Sequence, residues 1–196
     1  MKTLFDIGIM DEFQAGDLLS LYYDNVIRSM SMGWNDYHSI IKKAPDECLA
    51  FTATTRAIIV HNNITKHALR LFGNVENVIC YPDDNIFTID FYGKIRLRFK
   101  KLDDSLKPNN VSTLQQMEFA SQTLFGSVTK ITAGYRLDQT ETFIKDMHLV
   151  CWYNDSRFWN IPLFYKEAIK TDANLDDVVQ GSTKIIIPET RKDETA

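Results

Sequence analysis

The sequence is poor in the features that name a chemistry at sight. Its three cysteines, Cys48, Cys80 and Cys151, stand far apart with no CxxC pair. Neither a disulfide framework nor a structural zinc site can be read from them, and reduced, mostly buried thiols are expected. Long apolar runs are missing too: nothing approaches the roughly 18 residues of a membrane span. The opening MKTLFDIGIMDEF carries Asp6, Asp11 and Glu12 within or just after its short apolar stretch, which does not read as a secretory leader. A soluble, cytoplasmic protein with no membrane partner is expected. There is no surplus of positive charge, since 22 Lys and Arg face 26 Asp and Glu for a net charge of −4. Any nucleic-acid binding must therefore come from a local basic patch, not from the field of the whole chain. What is present is ordinary globular material: 196 residues, 44% hydrophobic, with eight glycines and no repeat or low-complexity tract, enough to bury one core.

Helical signals come first. From Asp11 to Met32, Phe13, Leu18, Leu21, Tyr22, Val26 and Met30 recur mainly at three- and four-residue steps, the stripe of an amphipathic helix, with Gly33 as its stop. Trp34, Tyr37, Ile40 and Ile41 suggest a short second helix or turn that ends at Ala44-Pro45, because the residue before proline is steered away from helical geometry. A third helix, capped by Thr54 or Thr55, carries Ala57, Ile58, Val60, Ile64, Ala68, Leu69 and Phe72 and closes at Gly73-Asn74. After Gly73 the period becomes two. Residues 75–81, 86–92 and 95–101 read as strands, with Pro82-Asp83-Asp84-Asn85 and Tyr92-Gly93-Lys94 as turns. A fourth helix is expected over residues 112–126, then strands at 129–137, 143–153 and 157–164. The fold class is α+β: an antiparallel sheet of about five to six strands packed with about four helices. Residues 1–170 form the single domain, and residues 171–196 a polar tail with a possible short strand at 184–188, where Ile185, Ile186 and Ile187 can add to this sheet or to a partner's edge.

The strongest functional pattern is Lys94-Ile95-Arg96-Leu97-Arg98-Phe99-Lys100-Lys101. Strand alternation sends Ile95, Leu97 and Phe99 to the core and lines Arg96, Arg98 and Lys100 along the other face. With Lys101, such a row can track phosphates, whose spacing along a nucleic-acid strand is similar to the residue spacing on one face. The plainer reading is a solvent-facing strand whose cations pair with carboxylates such as Asp90 on the next strand. Arg56 and His61 form a second candidate. Their Arg-x4-His spacing resembles the ribonuclease signature of the all-helical HEPN family, in which a cation holds phosphate near an imidazole that moves a proton. On a regular helix, five residues separate the two side chains by about 140°, so they do not share a face; the plainer reading is a helix-start cation and a partly buried ring. Asp83, Asp90 and Lys94 lack the acid-x-Lys triplet that a PD-(D/E)xK nuclease needs, and Asp83 and Asp84 are better read as turn residues. Cys80, Cys151, His61, His67 and His148 show no ligand spacing, and His148 and Cys151 fall on opposite strand faces, so no metal and no cofactor are expected. Trp152, Tyr153, Phe158 and Trp159 can stack bases or simply stabilise a hairpin.

The succession Thr55-Arg56-Ala57 with His61, then Arg96 through Asp103, Gln115-Gln116 with Phe119, Ala133-Gly134-Tyr135 and a Trp159 hairpin resembles a family of short, poorly characterised bacterial and phage proteins over roughly residues 52–163. That resemblance implies a toxin–antitoxin or phage-defence setting, since such proteins can be encoded beside helix-turn-helix or ImmA-like antitoxin genes. A cognate antitoxin or neighbouring-gene protein is the implied partner. The expected function is a toxin-like or defence component acting on, or docking to, RNA or DNA or its machinery through Arg56, His61, Arg96, Arg98, Lys100 and Lys101. As an enzyme it would be a metal-independent ribonuclease, with His61 and Arg56 as the candidate catalytic pair. The competing class is a non-enzymatic inhibitor or adaptor whose basic strand meets an acidic partner.

Overall fold

The computed structural model describes residues 8–82, 86–108, 128–153 and 156–164. The chain divides after Lys166: Met1–Lys166 forms one unit that holds every described element, and Glu167–Ala196 lies outside the described residues. The helix expected over 112–126 and the short strand expected at 184–188 also fall outside them.

The N-terminal helical stretch breaks in a different place from the one the sequence suggests. Helix α1 spans Glu12–Leu19. Its start is a capping box: the Asp11 carboxylate accepts from Gln14 N at 2.8 Å, and the Gln14 side chain accepts from Asp11 N at 3.2 Å. One 3-10 turn, Ser20–Tyr22, follows, and then α2 runs unbroken over Tyr23–Lys43, straight through Gly33. Gly33 is not a stop but a contact point. A Cβ there would lie 2.6 Å from both the Cγ1 and the backbone nitrogen of Ile64 on α4, so the missing side chain is what lets the two helices touch. The expected break at Ala44-Pro45 is real: Ala44 leaves helical geometry at φ −141°, ψ 64°, and Pro45 opens the short α3, Pro45–Leu49. Helix α4, Ala53–Phe72, is capped by Thr52 rather than Thr54 or Thr55, with Thr55 N donating to Thr52 Oγ1 at 3.1 Å.

Six strands form one sheet in chain order: β1 Val78–Tyr81, β2 Thr88–Phe91, β3 Ile95–Lys101, β4 Thr129–Leu137, β5 Ile144–Tyr153 and β6 Ser156–Leu163. The fold is α+β, as expected, and the sheet is mostly antiparallel. The exception corrects the sequence reading: β3 and β4 are parallel, from Ile95 beside Thr129 to Lys101 beside Tyr135. Parallel neighbours need a crossover of about a dozen residues or more, and residues 102–128 supply that length, whereas at most six residues separate the other adjacent strands in sequence. At the β2–β3 hairpin both central residues, Tyr92 (φ 57°) and Gly93 (φ 65°), are left-handed, the pairing a two-residue turn needs to follow strand twist. Tyrosine is unusual there. It is tied down by Tyr92 N donating to Asn77 O at 2.9 Å and by a hydroxyl pair with Tyr22 at 3.0 Å.

Alternation decides the two faces. Ile95, Leu97 and Phe99 are essentially inaccessible and join Ile89, Phe91, Ile131 and Leu149 against Val26, Met30, Val60, Ile64 and Phe72 of the helices. At about 1.5–3 kcal/mol for each fully buried large apolar side chain, this core holds the fold. The opposite face is not open water. Leu102, Leu106 and Val150 form a second small cluster there, with Trp152 packed against it. Gly134 makes room for that cover, since a Cβ on it would strike the Leu102 side chain at 2.3 Å.

Candidate functional site

The expected basic row lies on the side of β3 away from the helices, as alternation requires, but it is not an exposed ridge. Arg98 is only 3% exposed. Its Nε donates to Thr132 Oγ1 at 3.2 Å on the parallel neighbour β4, and burial pushes its pKa down to about 10, still far above neutrality. An alternating strand becomes a cationic ridge only if its polar face meets water, and here that face is covered. Arg96, two residues earlier, keeps contact with solvent but is already paired. Its Nη2 donates to Asp90 Oδ2 at 3.3 Å across the β2–β3 register, and its guanidinium stands 5.1 Å from the centre of the Tyr81 ring. Asp90 also accepts from Gly93 N at 2.7 Å, so one buried carboxylate closes the hairpin and neutralises the arginine. Lys101 donates to Glu141 Oε1 at 2.5 Å. That bond, with Arg56 adding to it, holds the Glu141 carboxyl below its usual range.

Lys100 differs from these three. It is half-buried, and no carboxylate pairs with it among the described residues. Burial, and then the charge of Arg98, lower its pKa. The charge of Lys100 also reaches His61 of α4. Burial first and the Lys100 ammonium second push the imidazole below its ordinary value, which keeps it neutral at neutral pH.

Arg56 does not join them. It sits inside the helical geometry of α4, its N–H bonded to Thr52 O at 3.0 Å, so the divergence of Arg56 from His61 stands. Arg56 is exposed and acts instead on Glu141 and on the Tyr37 hydroxyl of α2. The six candidate residues thus fall into a Lys100–His61 corner linked by charge alone, buried Arg98, an Arg56–Glu141–Lys101 group, and an Arg96–Asp90 pair.

Two polar groups are not among the candidates read from the sequence. His67 is buried on α4 and shares Asp36 of α2 with Lys66, at 2.9 and 2.7 Å. Nothing local links residues so far apart in sequence. Asp146 on β5 is held by Arg136 of β4 through two bonds of 2.8 and 2.5 Å, with His148 alongside. Here alternation does place Asp146 and His148 on one face, a signal available in the sequence. Among the described residues no three His, Cys, Asp or Glu side chains come together as metal ligands, and no helix is long and apolar enough to cross a membrane. Comparison with family models, curated proteins and solved structures returns no match for this chain.

Proposed function

We propose that the protein is a toxin-like or phage-defence component that docks to RNA or DNA by seating one phosphate at the Lys100–His61 corner. The observation that carries this reading is Lys100 itself: a half-buried ammonium without a carboxylate partner among the described residues, whose charge also reaches the neutral imidazole of His61. A cation held out of water without a counter-ion is a place where an anion gains from binding. The neutral ring keeps a lone pair free to take a proton from a hydroxyl next to the bound phosphate, the role a metal-independent ribonuclease asks of its base. The toxin-like or defence setting rests on the resemblance described above, and a cognate antitoxin remains the proposed partner.

The test is binding of RNA and DNA oligonucleotides across a salt series. One phosphate contact corresponds to a slope of about 0.7–0.9 in log affinity against log salt. Lys100→Gln is expected to remove that much, while Arg96→Gln and Lys101→Gln, whose charges are already matched by Asp90 and Glu141, change it little. A folded Lys100→Gln protein with unaltered affinity and slope would remove the corner from the function. Inducible expression in a bacterium, with and without the neighbouring gene, followed by RNA sequencing, reads the activity directly. His61→Ala is expected to keep binding and lose growth inhibition or cleavage.

A second reading, the adaptor that meets an acidic protein, is favoured by the internal pairing of Arg96 and Lys101 and the burial of Arg98. That pairing leaves little charge to follow a polymer. It predicts no oligonucleotide binding by the folded protein and co-purification of an acidic partner that Lys100→Gln weakens.

A further inference from the structure

On the side of β4, β5 and β6 away from the helices, one imidazole has unmet hydrogen-bonding capacity. His148 has a side chain only 12% exposed, and both ring nitrogens are buried without a hydrogen-bond partner. The register explains why. Its cross-strand neighbours are Gly134 on β4 and Pro162 on β6, and neither offers a polar side chain. Along its own strand the neighbours on the same face are Val150 and Asp146. His148 Nε2 lies 3.3 Å from Asp146 Oδ1, too poorly aligned to count as a hydrogen bond. Both carboxylate oxygens are instead gripped by Arg136, Nε to Oδ1 and Nη2 to Oδ2. Buried polar groups without partners are rare enough to require a reason.

The same arginine also holds a neighbouring segment. Residues 102–108, which leave the end of β3, cross this face as a strap. Leu102 sits over Gly134, and Leu106 packs with Val150 and Trp152. Side chains from three strands hold the strap by its backbone carbonyls: Arg136 Nη1 donates to Asp104 O at 3.4 Å, Trp152 Nε1 to Leu106 O at 3.1 Å, and Arg157 Nη1 to Ser105 O at 3.3 Å. Within the strap the Asp103 carboxylate accepts from Ser105 N and Lys107 N, and Lys107 Nζ lies 5.8 Å from the centre of the Trp152 ring.

We propose that His148 is a proton-operated latch for the 102–108 strap: neutral, it leaves both oxygens of Asp146 to Arg136, and protonated, it takes Asp146 Oδ1 and frees Arg136 from both the carboxylate and the strap. One proton is taken from solvent at the ring, and no covalent bond changes. Among the described residues the charged groups that bear on His148 are Asp146 on its own strand, Arg136 on β4 and Arg157 on β6, with Asp104 of the strap lying beyond Arg136. An imidazolium there adds a third positive charge beside two guanidiniums and one carboxylate. It therefore displaces the arginine that can move, and the strap loses one of the three side-chain bonds to its backbone carbonyls described above. Burial outweighs the pull of Asp146 and sets His148 below its ordinary value, with Arg136 and Arg157 adding to the effect. The latch thus stays shut at neutral pH and opens only in mild acid, below about pH 6.5.

Hydrogen exchange of the 103–107 amides in the full chain, corrected for the intrinsic pH dependence of exchange, tests this between about pH 7.5 and pH 5, a window bracketing the unperturbed histidine value of about 6.5. The wild-type protein is expected to exchange several-fold faster there in acid, and His148→Gln, which stays neutral throughout, to exchange equally slowly at both. The same acid response in folded His148→Gln, or none in the wild type, overturns the proposal. If His148→Gln does not fold, NMR titration of the wild-type imidazole decides: the ring must titrate below its ordinary value, with the same midpoint as strap exchange. A midpoint elsewhere, or titration at or above the ordinary value, overturns the latch.

Discussion

Single residues here act through what faces them, more than through their own type. Asp90 is the clearest case, because its carboxylate serves a turn amide and a guanidinium at once while only 5% exposed. Replacing it with Ala leaves Gly93 N–H and Arg96 without their acceptor. This is expected to cost about 1–3 kcal/mol, measured as a lower urea midpoint with an unchanged m-value. Arg98 and Lys100 share a strand face but not an environment: the first is closed in beside Thr132, the second is half-open. Alternation told which face each would occupy. It could not tell what would cover that face, since the strap of residues 102–108 packs there against Val150 and Trp152 of β5, far along the chain. For the same reason the Arg96–Asp90 pair was foreseeable from adjacent strands, while the Asp36–His67–Lys66 group, which ties α2 to α4, was not.

At the scale of elements, glycine shows how one sequence signal has two outcomes. Gly73 ends α4, its N–H bonded to Leu69 O at 2.9 Å, as a helix-terminal glycine should. Gly33 has the same local signature yet sits mid-helix, because α4 needs the space. Gly33→Ala is predicted to destabilise by about 1–3 kcal/mol, the cost of overpacking, although alanine is the better helix former. A urea titration in which Gly33→Ala proves equal or more stable would show that α2 and α4 do not meet as described. The N-cap Thr52 gives a companion expectation: Thr52→Ala should lose about 1 kcal/mol and loosen the first turn of α4, which carries Arg56. Strand existence was legible from the period-two runs, and the β2–β3 hairpin from its glycine-bearing turn. The parallel β3–β4 pairing was not, because no property of β3 or β4 alone sets the direction in which they run relative to one another.

Over the whole molecule, the ionisable groups predict a two-stage response to acid. His38, His61 and His148 all have folded-state pKa values below the ordinary one, with burial as the largest cause in each. The unfolded chain therefore binds more protons at these sites, and stability falls as pH drops below about 6.5. Asp36 and Asp146 are also lowered. Burial alone would raise them, but the bonds from Lys66 and His67 to Asp36, and from Arg136 to Asp146, prevail. Their contribution is present above their ordinary pKa and is lost as pH falls through the lower folded values. Urea unfolding is expected to show a shallow decline from neutral pH to about pH 5 and a steeper one below pH 4. A stability that rises between pH 7 and pH 5 would contradict the burial of these histidines.

The sequence by itself determined the α+β class, the six strands, the end of α2 before Pro45 and the split of β3 into an apolar and a basic face. Each of these follows from local periodicity or from the geometry of one or two residues. The tertiary structure decided which way β4 runs, that Gly33 is a helix contact, that Arg98 is buried, and that Arg96 and Lys101 are paired with carboxylates. These outcomes depend on segments distant in the chain occupying the same space, and packing at near-crystalline density leaves only one arrangement in which all of them fit.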